Sequence, residues 1–298
     1  MAMSDVDTIR ETARARRRQA GRWRGWLVVS PALCWTILFF VVPFAVMAVY
    51  SFWARVDGDI QATWDARNYA QFLTKPHFRE ALWNSLEVTA TVTIVSVLLA
   101  YPLAWIIAMK VPERWQRLCL VLAILPFWTS YVVRSYSWLL VLAKKGLVNR
   151  TLMDLGLISA PLDLANTRVA TVIGFTHFFV MLLTLTIYAN LKQLSPNYAR
   201  AAADLGARGW QTFVHVILPL TLPGVMVGAF LTFVLCIGDY ITPQILGGGN
   251  ELVLPQVIML QIGRLADFPS AAALSIVLMG VVALAWVACS RWLKLERA

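Results

Sequence analysis

The sequence predicts an all-α membrane protein with six transmembrane helices. Composition is the first reason. The 298 residues are 59% hydrophobic and only 14% charged, where a soluble domain carries about 25% charged residues. The second is six long apolar stretches, since a bilayer-crossing helix needs about 20 such residues. Inside lipid each backbone polar group must be satisfied within its own segment, so every stretch is expected to be helical. The third is an uneven distribution of charge between the connecting loops.

Taken in chain order, residues 1–25 form a basic, Arg-rich arm with few apolar side chains. The first span is placed near 26–52. Its apolar run exceeds the roughly 7–15 residues of a signal-peptide core, and no small-x-small cleavage site follows, so it is read as an uncleaved helix. Further spans are placed near 84–109, 118–143, 169–190, 213–238 and 271–291. Leu252 to Ile262 is apolar but too short to span and contains Pro255. It is read as a short helix or re-entrant piece at the outer surface. Gly247-Gly248-Gly249 reads as a turn.

Placing both termini in the cytoplasm puts 16 Lys/Arg on the inner segments and nine on the outer ones, with Arg134 inside a span. Six acids then lie inside and ten lie outside or near the outer span ends. Cytoplasmic loops carry the Lys/Arg excess in membrane proteins, which favours this orientation. The net charge of +10 therefore belongs to topology and anionic lipid rather than to nucleic acid. Cys34, Cys119, Cys236 and Cys289 all sit in apolar runs, without metal-ligand or disulfide spacing. His77, His177 and His215 are too scattered to form a ligand set, and His177 reads as a hydrogen-bonded packing residue.

The inner loop before the fifth span carries the most specific signal. Ser195-Pro196 suits a helix start, with Ser as cap and Pro at the first helical position. Tyr198 to Leu205 is Ala-rich and helix-favouring, and Gly206 suits a C-terminal stop. A short helix at about 195–210, lying along the membrane plane, would expose Arg200, Asp204 and Arg208. On physical grounds alone it is either an interfacial connector or a handle for a soluble partner.

The spacing of Arg200-Ala201-Ala202, Gly206 and Val216-Ile217-Leu218-Pro219 resembles the cytoplasmic loop of binding-protein-dependent ABC importer permeases. That family's pattern is E-A-A, three residues, Gly, nine residues, then I-x-L-P. Arg200 stands where the family usually has Glu, and Val216 where it usually has Ile. Asp204, one turn on from Arg200, could compensate for the missing acid. Ser30-Pro31-Ala32, Asn84-Ser85-Leu86, Leu125-Pro126-Phe127-Trp128-Thr129 with Arg134-Ser135-Tyr136, and Gly238-Asp239-Tyr240 with Pro243 are similar to the spermidine/putrescine branch. The resemblance covers nearly the whole chain from residue 26.

The resemblance implies a type I ABC importer permease in a bacterial inner membrane. It also implies a coupling helix, formed by Tyr198, Arg200, Ala201, Ala202, Asp204, Leu205, Gly206 and Arg208, that docks on an ATPase. The implied partners are two ATPase subunits, a second related permease in a heterodimer, an extracytoplasmic binding protein and the bilayer. ATP and Mg would sit on the ATPases. The chain itself has no G-x-x-x-x-G-K-[ST] phosphate loop and no zinc or nucleophile motif, so it is expected to be non-catalytic and without a cofactor.

A charge within a span costs about 2.5–3.5 kcal/mol on insertion scales and usually faces the bundle interior. Glu87, Arg134 and Asp239 are the candidates. Counted from Leu118 along a straight helix, Arg134 would lie roughly 24 Å deep at 1.5 Å per residue, level with the other two towards the outside. One reading is a solute path walled by Trp128, Tyr131, Tyr136 and Tyr240, with carboxylates and ring faces suited to a polyamine. The other is a structural pair of Arg134 with Glu87 or Asp239, plus interfacial aromatics. Another small solute, amino-acid-like or an opine, and ion-coupled secondary transport remain alternatives to polyamine import.

Overall fold

The computed structural model describes residues 29–249 and 251–295. The basic arm at 1–25 and the start of the first expected span lie outside the described residues. Five helices are long and apolar enough to cross a membrane, and a bent pair brings the number to six. The first is α1, Val29–Tyr50. A β-hairpin follows, with β1 (Ala54–Val56) antiparallel to β2 (Asp59–Gln61). Asp57 and Gly58 turn it at φ 52° and 96°, the left-handed pair that a two-residue Asp-Gly hairpin favours. The hairpin was not among the sequence expectations, although Asp57-Gly58 signals it.

Next come α2 (Arg67–Thr74) and α3 (Pro76–Met109). The expected second span at 84–109 thus begins a further two turns back, because Pro76 supplies a pre-set first helical residue. The expected third span at 118–143 is not one helix. It is α4 (Glu113–Ile124, tightening to a 3₁₀ turn at Leu125–Trp128) and α5 (Tyr131–Leu142), with the chain bent by 91° between Glu113–Trp128 and Tyr131–Asp154. Pro126 has no N–H to continue the helical ladder. Thr129 and Ser130 are extended, at ψ 149° and 132°. The Thr129 hydroxyl donates to the Pro126 carbonyl at 2.7 Å, which fixes the break.

After α6 (Leu147–Asp154) the chain forms α7 (Arg168–Gln193), the short α8 (Asn197–Asp204) and α9 (Gly209–Ile237). It then forms α10 (Ile241–Leu246), α11 (Leu254–Gly263) and α12 (Phe268–Leu295). Pro255 opens α11 instead of breaking it.

The core is the α3–α7 pair, with α9 laid across it. Ala100, Ala104 and Ala108 recur along one face of α3 and meet Leu183, Ile187 and Leu191 of α7 and Val225 of α9. Small residues at this spacing let helix backbones approach, which supplies the packing that lipid cannot drive. The Tyr101 hydroxyl and Thr221 Oγ1 share a hydrogen bond at 2.8 Å across this seam. Gly224 of α9 is closer still, because the Asn190 side chain of α7 fills the space where a Cβ would stand. Gly224→Ala is therefore expected to destabilise the bundle by about 1–3 kcal/mol, the usual cost of overpacking. The melting temperature of the detergent-solubilised protein reads this directly, and no change would mean that Asn190 swings clear.

By contrast, α1 buries nothing over its most apolar window, and α12 only 17%. Their bare Trp, Phe, Val and Leu side chains suit lipid or another membrane chain. The bundle has two polar ends. Lys110, Glu113, Arg117, Lys192, α8 and Trp210 gather at one. Asn84, Glu87, Arg168 and Glu251 gather at the other.

Candidate functional site

At the first end, α8 is built by local signals. Ser195 Oγ accepts from the Asn197 N–H at 3.3 Å, and the Ser195 carbonyl accepts from the Tyr198 N–H at 3.2 Å. Gly206 ends the helix at φ 82°. Its N–H donates to the Ala203 carbonyl at 2.9 Å, and the Ala207 N–H donates to the Ala202 carbonyl at 3.0 Å. These two bonds form a Schellman stop, which satisfies carbonyls the helix end would otherwise orphan. Gln211 Oε1 accepts from the Arg208 N–H at 2.8 Å, which starts α9.

Ala202 is the one buried residue of α8. Tyr198, Arg200, Ala201, Asp204, Leu205 and Arg208 are all exposed. Leu205 is 89% exposed and Trp210, just beyond the turn, 73%. Arg200 and Asp204 make no ion pair among the described residues. The segment is pre-folded and anchored at one face, with apolar tips bare on the other.

The candidate path residues separate into three groups. Glu87 belongs to the far end, where Arg168 Nη1 bonds Glu87 Oε2 at 2.7 Å and Arg168 Nε bonds Glu251 Oε2 at 2.6 Å. Asn84 Oδ1 accepts from Arg168 Nη2 at 2.7 Å. The sequence reading missed Arg168; a charge opening an apolar span was its only signal. Both glutamates are about half exposed, so each pair contributes at most about 1 kcal/mol. Arg168→Gln is expected to cost about that much in stability, measured by thermal unfolding, with the difference shrinking as salt is raised.

The second group is a cluster where α5 meets the α9–α10 corner. Asp239 Oδ1 accepts from the Ile241 N–H at 2.8 Å, and Oδ2 from the Thr242 hydroxyl at 3.0 Å. This Asx turn leads the chain into α10. The Tyr131 hydroxyl donates to Asp239 Oδ2 and also touches Thr242 Oγ1. Tyr131 in turn meets Phe178 edge to face at 5.6 Å. Arg134 Cζ stands 4.7 Å above Phe178 and 5.1 Å above Tyr131.

Arg134 pairs with neither Glu87 nor Asp239, which corrects the expected structural pair. The straight-helix depth also fails, because the 91° bend lies between Leu118 and Arg134. Thr242 and Phe178 were missed, although Asp239 is an Asx-turn former three residues before Thr242.

The remaining aromatics form no wall with this cluster. Trp128 is 87% exposed, at the far end of a groove that runs along α4 from Glu113 and Arg117. Tyr136 and Tyr240 are exposed on the outside of the chain. His177 accepts from Trp138 Nε1 at 3.1 Å, as a hydrogen-bonded packing residue would.

The fold is a multi-pass helical bundle with an exposed helix between two spans. Residues 100–290 match the family described as the binding-protein-dependent transport system inner membrane component, and the chain belongs to that family of multi-pass inner-membrane, non-catalytic permease subunits. It is 33% identical over 272 residues to the spermidine/putrescine transport system permease protein PotB of Salmonella typhimurium (strain SL1344), spanning 90% of this chain and 94% of that one. It is also 33% identical to PotB of Escherichia coli (strain K12), over 87% of this chain and 95% of the relative. The fold matches a chain of a bacterial ABC transporter involved in the import of the acidic polysaccharide alginate. The TM-score is 0.74 at 16% identity, covering 93% of this chain and 98% of that chain. These findings agree with the type I ABC importer architecture expected from the sequence.

Proposed function

We propose that this permease subunit translocates polyamines, spermidine or putrescine, delivered by an extracytoplasmic binding protein and driven by ATP. The observation that carries the reading is identity of 33% across nine-tenths of the chain to spermidine/putrescine permeases. Asp239 and Glu87 supply carboxylates at two levels, and the solute path runs between this chain and a second, related permease in a heterodimer.

The α8 end faces the cytoplasm, as do both termini. Each permease docks its α8 on one of two ATPase subunits, which hold ATP and Mg. Leu205, Tyr198 and Trp210 enter the cleft as apolar anchors, while Ala202 and the Schellman turn fix the helix to the bundle. Closure of the ATPases then displaces α8 and the start of α9 together. The bundle responds by switching between two packings, and what drives the switch is the difference in ATPase affinity for the two.

The test is ATPase activity of the purified complex in lipid nanodiscs, with its binding protein and spermidine or putrescine. Stimulation by either polyamine is the expected result. A co-purifying ATPase indifferent to both would remove the polyamine assignment and leave the permease role. Failure of any ATPase to co-purify would remove the docking role of α8.

A further inference from the structure

Among the described residues, Arg134 is a charge without a counter-ion. It is only 7% exposed, and its guanidinium carries five N–H donors and no acceptor. One hydrogen bond is made, from Nη1 to the Pro126 carbonyl at 3.2 Å. The rings of Tyr131 and Phe178 lie against it. Ring faces attract the charge but accept no strong hydrogen bond. No carboxylate pairs with it among the described residues.

A second donor belongs to His177, which lines the same groove as Arg134. Trp Nε1 can only donate, so its 3.1 Å bond to His177 Nδ1 makes that nitrogen the acceptor. The ring proton of His177 is thereby placed on Nε2, for which the described residues supply no acceptor. Arg134 and His177 both line one open, largely apolar groove of about 320 Å³, together with Thr129, Val133, Ser137, Trp138 and Val141. Both hydroxyls already donate to their own backbone, Thr129 to Pro126 and Ser137 to Val133. Their oxygens add no negative charge. The groove is thus lined by a residue carrying a buried cation and one carrying a neutral N–H donor, with no carboxylate among its lining residues.

We propose that this groove binds a carboxylate, held by the Arg134 guanidinium and the His177 Nε2–H. A guanidinium fork matches the two oxygens of a carboxylate. Leaving a buried guanidinium unpaired inside a membrane bundle is costly, and such residues pair or mark a pathway. The carboxylate comes from a small solute or from an acidic side chain of a second permease chain. The polyamine reading is not required: a failed polyamine test leaves this site standing, and a failed carboxylate test leaves that reading standing.

The experiment replaces chloride by acetate at constant ionic strength and follows thermal unfolding. It is run on the full chain alone and on the assembled complex. For the chain alone, acetate is expected to give a saturable rise of about 2–4 °C over chloride, absent in Arg134→Gln. The same rise in the complex assigns the site to a solute carboxylate. A rise confined to the isolated chain assigns it to a partner's acidic side chain, which already fills the site in the complex. No acetate-specific rise in either preparation overturns the proposal, as does an undiminished rise in Arg134→Gln. If that variant does not fold, His177→Leu decides instead. Loss of at least half the rise supports the site, and a full rise overturns it.

Discussion

Replacing Gly206 with proline is expected to lower solute uptake at least tenfold while the chain still inserts into the membrane. Gly206 sits at φ 82°, and proline is locked near −65°. The N–H that donates to the Ala203 carbonyl would also be lost. Breaking a backbone position in this way costs about 3 kcal/mol, and each 1.4 kcal/mol is about tenfold in an equilibrium. The Schellman turn cannot then form, and the rigid link from α8 to α9 goes with it. The spans are untouched, so insertion persists. Gly206→Ala is a graded control. A Cβ there meets nothing within 4 Å, so only backbone strain remains, about 1–2 kcal/mol. Its uptake should fall between wild type and the proline variant. Labelled-solute uptake, normalised to membrane-inserted protein, measures both. Normal uptake by Gly206→Pro would remove α8 from the coupling role.

What made α8 legible in the sequence was that its signals are local. Ser195 Oγ takes the Asn197 N–H just ahead of the helix, whose N-cap is Pro196 rather than Ser195, Ala-rich residues extend it and Gly206 stops it, all within one short segment. The spans were legible for a similar reason, since burial in lipid needs only a long apolar run. The bend at Thr129-Ser130 was not legible, because residues 118–143 read as one continuous apolar run. Proline is tolerated inside membrane helices, as Pro102 and Pro223 are here, so Pro126 alone does not announce a break. Pairing was least legible of all. Glu87 finds Arg168 and Asp239 finds Tyr131 across long stretches of chain, through packing of α3, α5, α7 and α9 that composition does not encode. The expected partner of Arg134 followed from counting depth along a straight helix, and the bend removes that premise.

The second large effect is expected at Asp239, where alanine should lower both stability and uptake. The carboxylate receives the Ile241 N–H, the Thr242 hydroxyl and the Tyr131 hydroxyl. It therefore fastens α5, the far half of the bent span, to the start of α10. Each buried donor left without an acceptor costs about 1–3 kcal/mol. Tyr131 keeps Thr242 Oγ1 as a neighbour, so the Ile241 N–H should contribute the larger share. Asparagine separates tether from charge. Its Oδ1 can still accept from the Ile241 N–H and its amide can still bridge Tyr131 and Thr242, so stability should stay within about 1 kcal/mol of wild type. Uptake of a polyamine should nonetheless fall several-fold through a raised KM, because Asp239 is only half-buried and its charge reaches a passing cation. Tyr131→Phe is the complement. It removes the hydroxyl and keeps the ring beneath Arg134 and beside Phe178, so it should lower stability without the rise in KM. If Asp239→Asn leaves KM unchanged while Asp239→Ala still melts early, the carboxylate is a fastening between two helices. The cation would then have to be met elsewhere along the path.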